Sequence, residues 1–104
     1  MTNILTPKGR LDNTTAAAFE EVVKTATGAG ATRLLIDFSE VTYISSGGLR
    51  VILVATKTLA ANGGRLALCS LDPRVAEIIE MSGFAAFPNL SIHAGRDEAQ
   101  AALG

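Results

Sequence analysis

Two adjacent hydroxyls, Ser45 and Ser46, are followed at once by Gly47 and Gly48. They stand between Tyr43-Ile44 and an apolar run that begins at Leu49. That order reads as a strand, a turn and a helix, which places Ser46 close to a helix N-terminus. Backbone N–H groups without intrahelical acceptors, and the positive end of the helix dipole, favour an anion there. A phosphoryl group on Ser46 would add roughly −1.5 to −2 charge where the local backbone tolerates it. The same charge would confront any surface docked on the turn. Serines are also common N-caps and glycines common turn formers, so spacing alone leaves a purely structural reading open.

Other reactive side chains are few. A nucleophile elbow would need Gly-x-Ser-x-Gly, and Ile44-Ser45-Ser46-Gly47-Gly48 lacks the leading glycine. A triad needs a histidine base, and the single histidine is His93, on a different predicted element. One cysteine and one histidine supply too few ligands for a metal site, and the lone Cys69 has apolar neighbours, as a small core residue would. Glu20 and Glu21 are adjacent on a predicted helix and read as a solvated face. Gly28-Ala29-Gly30 ends that helix, and no strand is followed by Gly-Lys-Ser/Thr, so a phosphate cradle is absent. These readings leave no catalytic residue, no metal and no cofactor to assign.

The elements that position Ser45 and Ser46 follow from periodicity. Ile4-Leu5 opens an extended segment that runs to Gly9-Arg10-Leu11-Asp12, and Pro7 within it cannot donate to a ladder, so this strand is expected on a sheet edge. Asp12, Asn13 and Thr14 are candidate N-caps for a helix from Ala16, with Phe19, Val22, Val23 and Ala26 on its buried face and Gly28 and Gly30 at its end. Arg33–Phe38 and Arg65–Cys69 are continuous apolar runs of strand length, as in a parallel sheet covered on both faces. Helix two runs from Leu49 to about Ala61. Leu49, Ile52, Leu53 and Thr56 form its buried face, and Val51, Val54 and Ala55 extend the apolar character round the cylinder. A partner protein or a second packing layer would account for that. Asp72-Pro73 opens a third helix, with Val75, Ile78, Ile79 and Met81 apolar; Leu90–His93 is a last strand and Asp97–Leu103 a terminal helix. Alternation of this kind predicts a parallel sheet with crossover helices.

The 104 residues make one domain, 48% hydrophobic with a mean hydropathy of +0.33, enough apolar surface to fold without staples. Nine basic and ten acidic residues are scattered, which excludes the concentrated cationic surface that nucleic acid requires. The N-terminus lacks a charged stretch followed by an apolar one, and the longest apolar segment, interrupted by Lys57, is too short to span a bilayer. The expectation is a cytoplasmic protein with no signal peptide and no membrane insertion.

Leu34-Ile36-Asp37-Phe38 followed by Val41-Thr42-Tyr43-Ile44-Ser45-Ser46-Gly47-Gly48-Leu49-Arg50-Val51-Ile52-Leu53 resembles the signature of STAS domains, an apolar strand, then "D-S-S-G-L" and an aliphatic helix. Gly9-Arg10-Leu11-Asp12 resembles the family's "G-x-L-D", Gly63-Gly64-Arg65-Leu66-Ala67-Leu68 its "G-G-x-L-x-L", and Glu77–Phe84 its closing "L-x-x-x-G-F/L". The match runs through nearly the whole chain in order. It implies an α/β STAS fold, a mostly parallel four- to five-stranded sheet with about four helices. It also implies an anti-sigma factor antagonist, a protein-binding switch and not an enzyme. Its partners would be an anti-sigma serine kinase of the GHKL type and a PP2C-type phosphatase.

Aligned on Gly48-Leu49, the family's phosphorylated serine falls on Ser46. Ser45 replaces the usual acidic neighbour and is an alternative acceptor, and Gly47 replaces the second serine. A family member usually carries a further strand before "G-x-L-D". The expected partner-binding residues are Arg10, Asp12, Ser45, Ser46, Gly47, Gly48, Leu49 and Arg50, brought together because parallel sheets present the loops after their strands on one edge. Charge reversal at Arg50 or Asp12 is expected to spare the fold. Within the same fold, a STAS subunit of a lipid-transport ABC system is the alternative; a small hydrolase is the other. Pro7, Lys8 and Arg10 protect the first strand's edge, so a monomer or at most a weak dimer is expected.

Overall fold

The computed structural model describes residues 2–104. In chain order the elements are β1 (Asn3–Leu5), β2 (Gly9–Leu11), α1 (Ala16–Gly28), β3 (Arg33–Asp37), β4 (Val41–Ile44), α2 (Ser46–Ala61), β5 (Arg65–Cys69) and α3 (Pro73–Met81). A 3₁₀ turn (Phe84–Ala86), β6 (Leu90–His93) and α4 (Arg96–Leu103) complete it. Four strands form one parallel sheet in the order β1-β3-β5-β6, and β2 and β4 pair separately, also parallel. The expected α/β architecture is present.

Strand order explains the layering. The chain moves across the main sheet in one direction, and right-handed crossovers then set successive helices on one face. On that face Leu34, Ile36, Leu66 and Leu68 pack against Phe19 and Val23 of α1, Ile52 and Leu59 of α2, and Val75 and Ile79 of α3. On the opposite face Leu35, Ala67 and Cys69 meet Ala99 and Leu103 of α4. Both faces of β3 and β5 are therefore buried, which is why their sequences are apolar runs without alternation. Burial pushes the Cys69 thiol up from its ordinary range, so it behaves as a core group.

Three expectations are corrected. The segment from Ile4 to Asp12 is two strands, not one. β1 is an edge of the main sheet, but Pro7 lies in the link after it, Gly9 turns the chain with φ +77, and the Gly9 N–H bonds to the Glu40 carbonyl at 2.8 Å. β2 thus leaves the main sheet and joins β4. Val22, expected on the buried face of α1, is 50% exposed, because α1 packs against α2 and turns its other flank outward. Met81, expected to be apolar core on α3, is 80% exposed, with only Val75 and Ile79 of that helix fully buried.

Among the described residues one ion pair joins the main sheet to α4. The Asp37 carboxylate at the end of β3 accepts from the Ser39 N–H at 2.9 Å and from Arg96 Nη2 and Nε at 2.8 and 3.2 Å. Burial alone would raise its pKa, but the Ser39 N–H and the Arg96 guanidinium outweigh it and hold the group below its ordinary value. A lowered folded pKa means stability present at neutral pH and lost as the carboxylate is protonated in acid. Arg96→Ala should cost about 1–2 kcal/mol, less than a fully buried pair because half the guanidinium meets solvent, and lower the thermal midpoint by about 5–15 °C. An unchanged midpoint by calorimetry would show that the pair contributes nothing.

Candidate functional site at the β2–α1 and β4–α2 junctions

Pairing β2 with β4 sets Leu11 beside Ile44, so the two strand-to-helix junctions meet. The Ser45 N–H donates to the Leu11 carbonyl at 2.8 Å, and the Ser45 hydroxyl lies 3.4 Å from Asn13 Oδ1, bridging 32 residues of chain. Ser45 has extended backbone angles, its hydroxyl accepts a long 3.4 Å bond from the Gly48 N–H, and its carbonyl accepts from the Leu49 N–H at 2.9 Å. Ser45 is the N-cap of α2. Ser46 is the first residue of the helix; its side chain is exposed and its hydroxyl makes no hydrogen bond among the described residues. The N–H groups of Ser46 and Gly47 have no acceptor within their own helix, as first-turn amides never do.

The helix starts three residues earlier than Leu49, and this changes what the glycines do. Neither Gly47 nor Gly48 has positive φ. A Cβ on Gly47 would come within 2.9 Å of Asn13 Oδ1. One on Gly48 would come within 2.9 Å of the Leu11 carbonyl oxygen and 2.8 Å of Ile44 Cγ1. The glycines let α2 begin hard against the neighbouring junction; they do not make a turn. Gly48 is buried, so of the residues expected at a partner surface it shapes the junction from beneath.

Arg10 and Tyr43 are register partners on β2 and β4, and the Arg10 guanidinium lies 4.3 Å over the Tyr43 ring, with Nε 3.5 Å from Asp12 Oδ2. Arg50 is exposed and holds no carboxylate among the described residues. Beside it a shallow cleft of about 280 Å³ is lined by Ser46, Leu49, Leu53, Ser82 and Phe84. Arg10, Asp12, Ser45, Ser46, Gly47, Leu49 and Arg50 thus lie at or next to the two junctions. His93, by contrast, is on β6 of the other sheet, 2.8 Å from the Ser91 hydroxyl. Asn13 is the residue that sequence reasoning placed only as a cap; its reach to Ser45 has no local signal.

Asp12 is structural, contrary to the expectation that its charge could be reversed without cost. Its Oδ1 accepts from the Thr14 hydroxyl at 2.7 Å, the Thr14 N–H at 3.0 Å and the Thr15 N–H at 3.2 Å, pinning the turn into α1. The Thr14 hydroxyl and N–H, chiefly, hold the carboxyl at about 2, below the ordinary 3.8. The stabilisation is complete above the ordinary value and is lost as pH falls toward the folded one. Asp12→Ala should therefore lower the thermal midpoint at pH 7 and flatten its further fall between about pH 4 and 2 relative to the native chain. Matching melting curves at pH 7 would remove Asp12 from the fold's support.

No group of three or more His, Cys, Asp or Glu gathers as a metal site among the described residues, and no helix there is long and apolar enough to cross a membrane.

The STAS domain family model matches residues 2–99. A Bordetella bronchiseptica protein named as an anti-sigma factor antagonist, BtrV, is 38% identical over 77 residues; the match covers 74% of this chain and 66% of that protein, just under two thirds of its length. Among solved structures, a Thermotoga maritima protein named as an anti-sigma factor antagonist superposes with a TM-score of 0.90 at 24% identity, over 98% of this chain and 86% of that one. The phosphorylated form of SpoIIAA, a Bacillus cell fate determinant, has a TM-score of 0.75 at 23% identity, over 99% and 91% of the two chains.

Proposed function

The chain belongs to the STAS domain family, and on that footing we propose that it is an anti-sigma factor antagonist working by partner switching. Unphosphorylated, it binds an anti-sigma serine kinase of the GHKL type and frees that kinase's client. Phosphorylated on Ser46, it is released, and a PP2C-type phosphatase resets it. The observation that carries this reading is the state of the two hydroxyls. Ser46 is exposed at the first position of α2 and its hydroxyl has no hydrogen bond among the described residues, whereas Ser45 is engaged as the N-cap. A kinase reaches the first without undoing the helix start. The helix N-terminus then accommodates the added charge, and the fold survives while the docking surface changes sign.

The docking surface extends from Arg10 and Asp12 across Ser46 to Leu49 and Arg50. Beyond these, Val54 on the outer side of α2 is 43% exposed and Met81 at the end of α3 is 80% exposed. Apolar side chains with an arginine beside them are typical of the centre of a protein interface. Incubation with the cognate kinase and ATP, followed by site mapping by mass spectrometry, tests the proposal. The expected product carries one phosphate on Ser46; phosphate confined to Ser45 or to a threonine would overturn the assignment.

A further inference from the structure

We propose that the cleft at the starts of β5 and β6 is a second site, which binds a small organic anion bearing a flat or apolar portion. The cleft has a volume of about 640 Å³ and its lining includes Lys57, Gly64, Arg65, Phe87, Asn89 and Ser91. The cleft is open to solvent, with Lys57 and Arg65 exposed, and its volume is within the range of small-molecule sites, roughly 300–1,000 Å³.

Charge is the reason to expect an anion. Of the nine Lys and Arg residues, Lys8, Arg10, Lys24 and Arg96 hold an acidic partner. Three of the remaining five are at this end of the molecule: Lys57 and Arg65 in the cleft, and Arg33, the register partner of Arg65 on β3. Like charges on adjacent strands repel, and no side-chain carboxylate among the described residues forms an ion pair with any of them. Helix ends do not balance them. α2 ends at Ala61 and the last turn of α4 contributes Ala102 to the lining; two helix C-termini offer about −0.5 each against the two full positive charges of Lys57 and Arg65. Arg33 stands outside the lining, with its guanidinium beside Gly104.

The walls are fixed before any ligand arrives. Asn89 Nδ2 donates to the Thr56 carbonyl at 2.9 Å and the Gly64 carbonyl at 3.3 Å, tying α2 and the approach to β5 together. Gly64 lies so close to its neighbour strand that a Cβ would sit 2.6 Å from the Thr32 carbonyl oxygen. Phe87 and Pro88 give the apolar wall, and Lys57 and Arg65 the cationic one. A phosphate ester or a carboxylate carrying a ring matches that division. Lys57 is eleven residues along α2 from Ser46, about 16 Å of helix, so the cleft is separate from the phosphorylation turn.

Phenyl phosphate, inorganic phosphate and benzoate titrated into ¹⁵N-labelled protein test this by amide shifts. Saturable shifts are expected at Gly63, Gly64, Arg65, Asn89 and Ser91. Phenyl phosphate or benzoate should bind at least tenfold more tightly than inorganic phosphate, the better of the two identifying the anionic group. The double variant Lys57→Gln, Arg65→Gln should keep the native spectrum elsewhere and lose at least tenfold in affinity. Shifts that fail to saturate, that centre on the Ser46 turn or spread equally to Arg50 and Arg74, or that survive the double variant unchanged would overturn the site. Equal affinity for inorganic and phenyl phosphate would overturn the apolar wall.

Discussion

Ser46→Asp should bind the partner kinase about 30- to 100-fold more weakly than the native chain, with Ser46→Ala within about threefold of it. An interfacial charge left without a partner costs on the order of 2–5 kcal/mol. An aspartate carries less charge than a phosphoryl group, so the substitution should give the lower part of that range and the phosphorylated protein the upper part. The Ser46 hydroxyl makes no hydrogen bond among the described residues, so both variants should retain the native fold. Titration calorimetry with the purified kinase measures the affinities, and melting curves check the fold. Native-like affinity of the folded Ser46→Asp protein would remove the switch from this turn. Ser45→Ala is the control. It removes a weak cap whose hydrogen bond is long at 3.4 Å, costing up to about 1 kcal/mol of stability, and should leave phosphorylation at Ser46 intact.

Gly48→Ala should destabilise the domain by about 1–3 kcal/mol, a fall of roughly 5–20 °C in the thermal midpoint. Alanine is the better helix former by about 1 kcal/mol, so propensity alone predicts the opposite sign. Packing wins because the added Cβ would meet the Leu11 carbonyl oxygen at 2.9 Å, a backbone atom that also accepts the Ser45 N–H. Relief requires α2 to move off β2, which breaks that hydrogen bond. Gly47→Ala is the informative comparison, since its nearest neighbour is the end of the Asn13 side chain, which can swing away. A stability loss for Gly48→Ala clearly larger than for Gly47→Ala is expected in denaturant titrations. Equal stability of the two variants would show that close approach is not what these glycines provide.

The contrast between these glycines and their sequence context marks where local reading stops. The apolar runs at Leu34–Phe38 and Leu66–Cys69, the N-cap at Asp72 with Pro73 behind it, and the alternation of strands with helices were all legible. Each is set by hydrogen bonding and side-chain periodicity within one element. The STAS motifs placed Ser46 in a turn ahead of a helix expected from Leu49, three residues later than α2 begins. What no local pattern carried was the partner of each surface. Val22 and Met81 satisfy a helical apolar period yet face outward, because burial depends on which element lies opposite.

One continuous extended segment became two strands in two sheets, because Pro7 and the positive φ of Gly9 let β2 find β4 rather than continue beside β3. Asp12 was legible as a candidate cap, but not as the centre of a turn in which one carboxylate oxygen accepts from both Thr14 and Thr15. Ser45 and Ser46 are indistinguishable by residue type. The local bonds from Gly48 and Leu49 make Ser45 the cap, and the Leu11 carbonyl and Asn13 across more than thirty residues hold it in place. The Ser46 hydroxyl is without a hydrogen bond among the described residues. The residue types determined the elements and put two hydroxyls at one junction; the tertiary structure decided which is engaged as the cap and which is exposed.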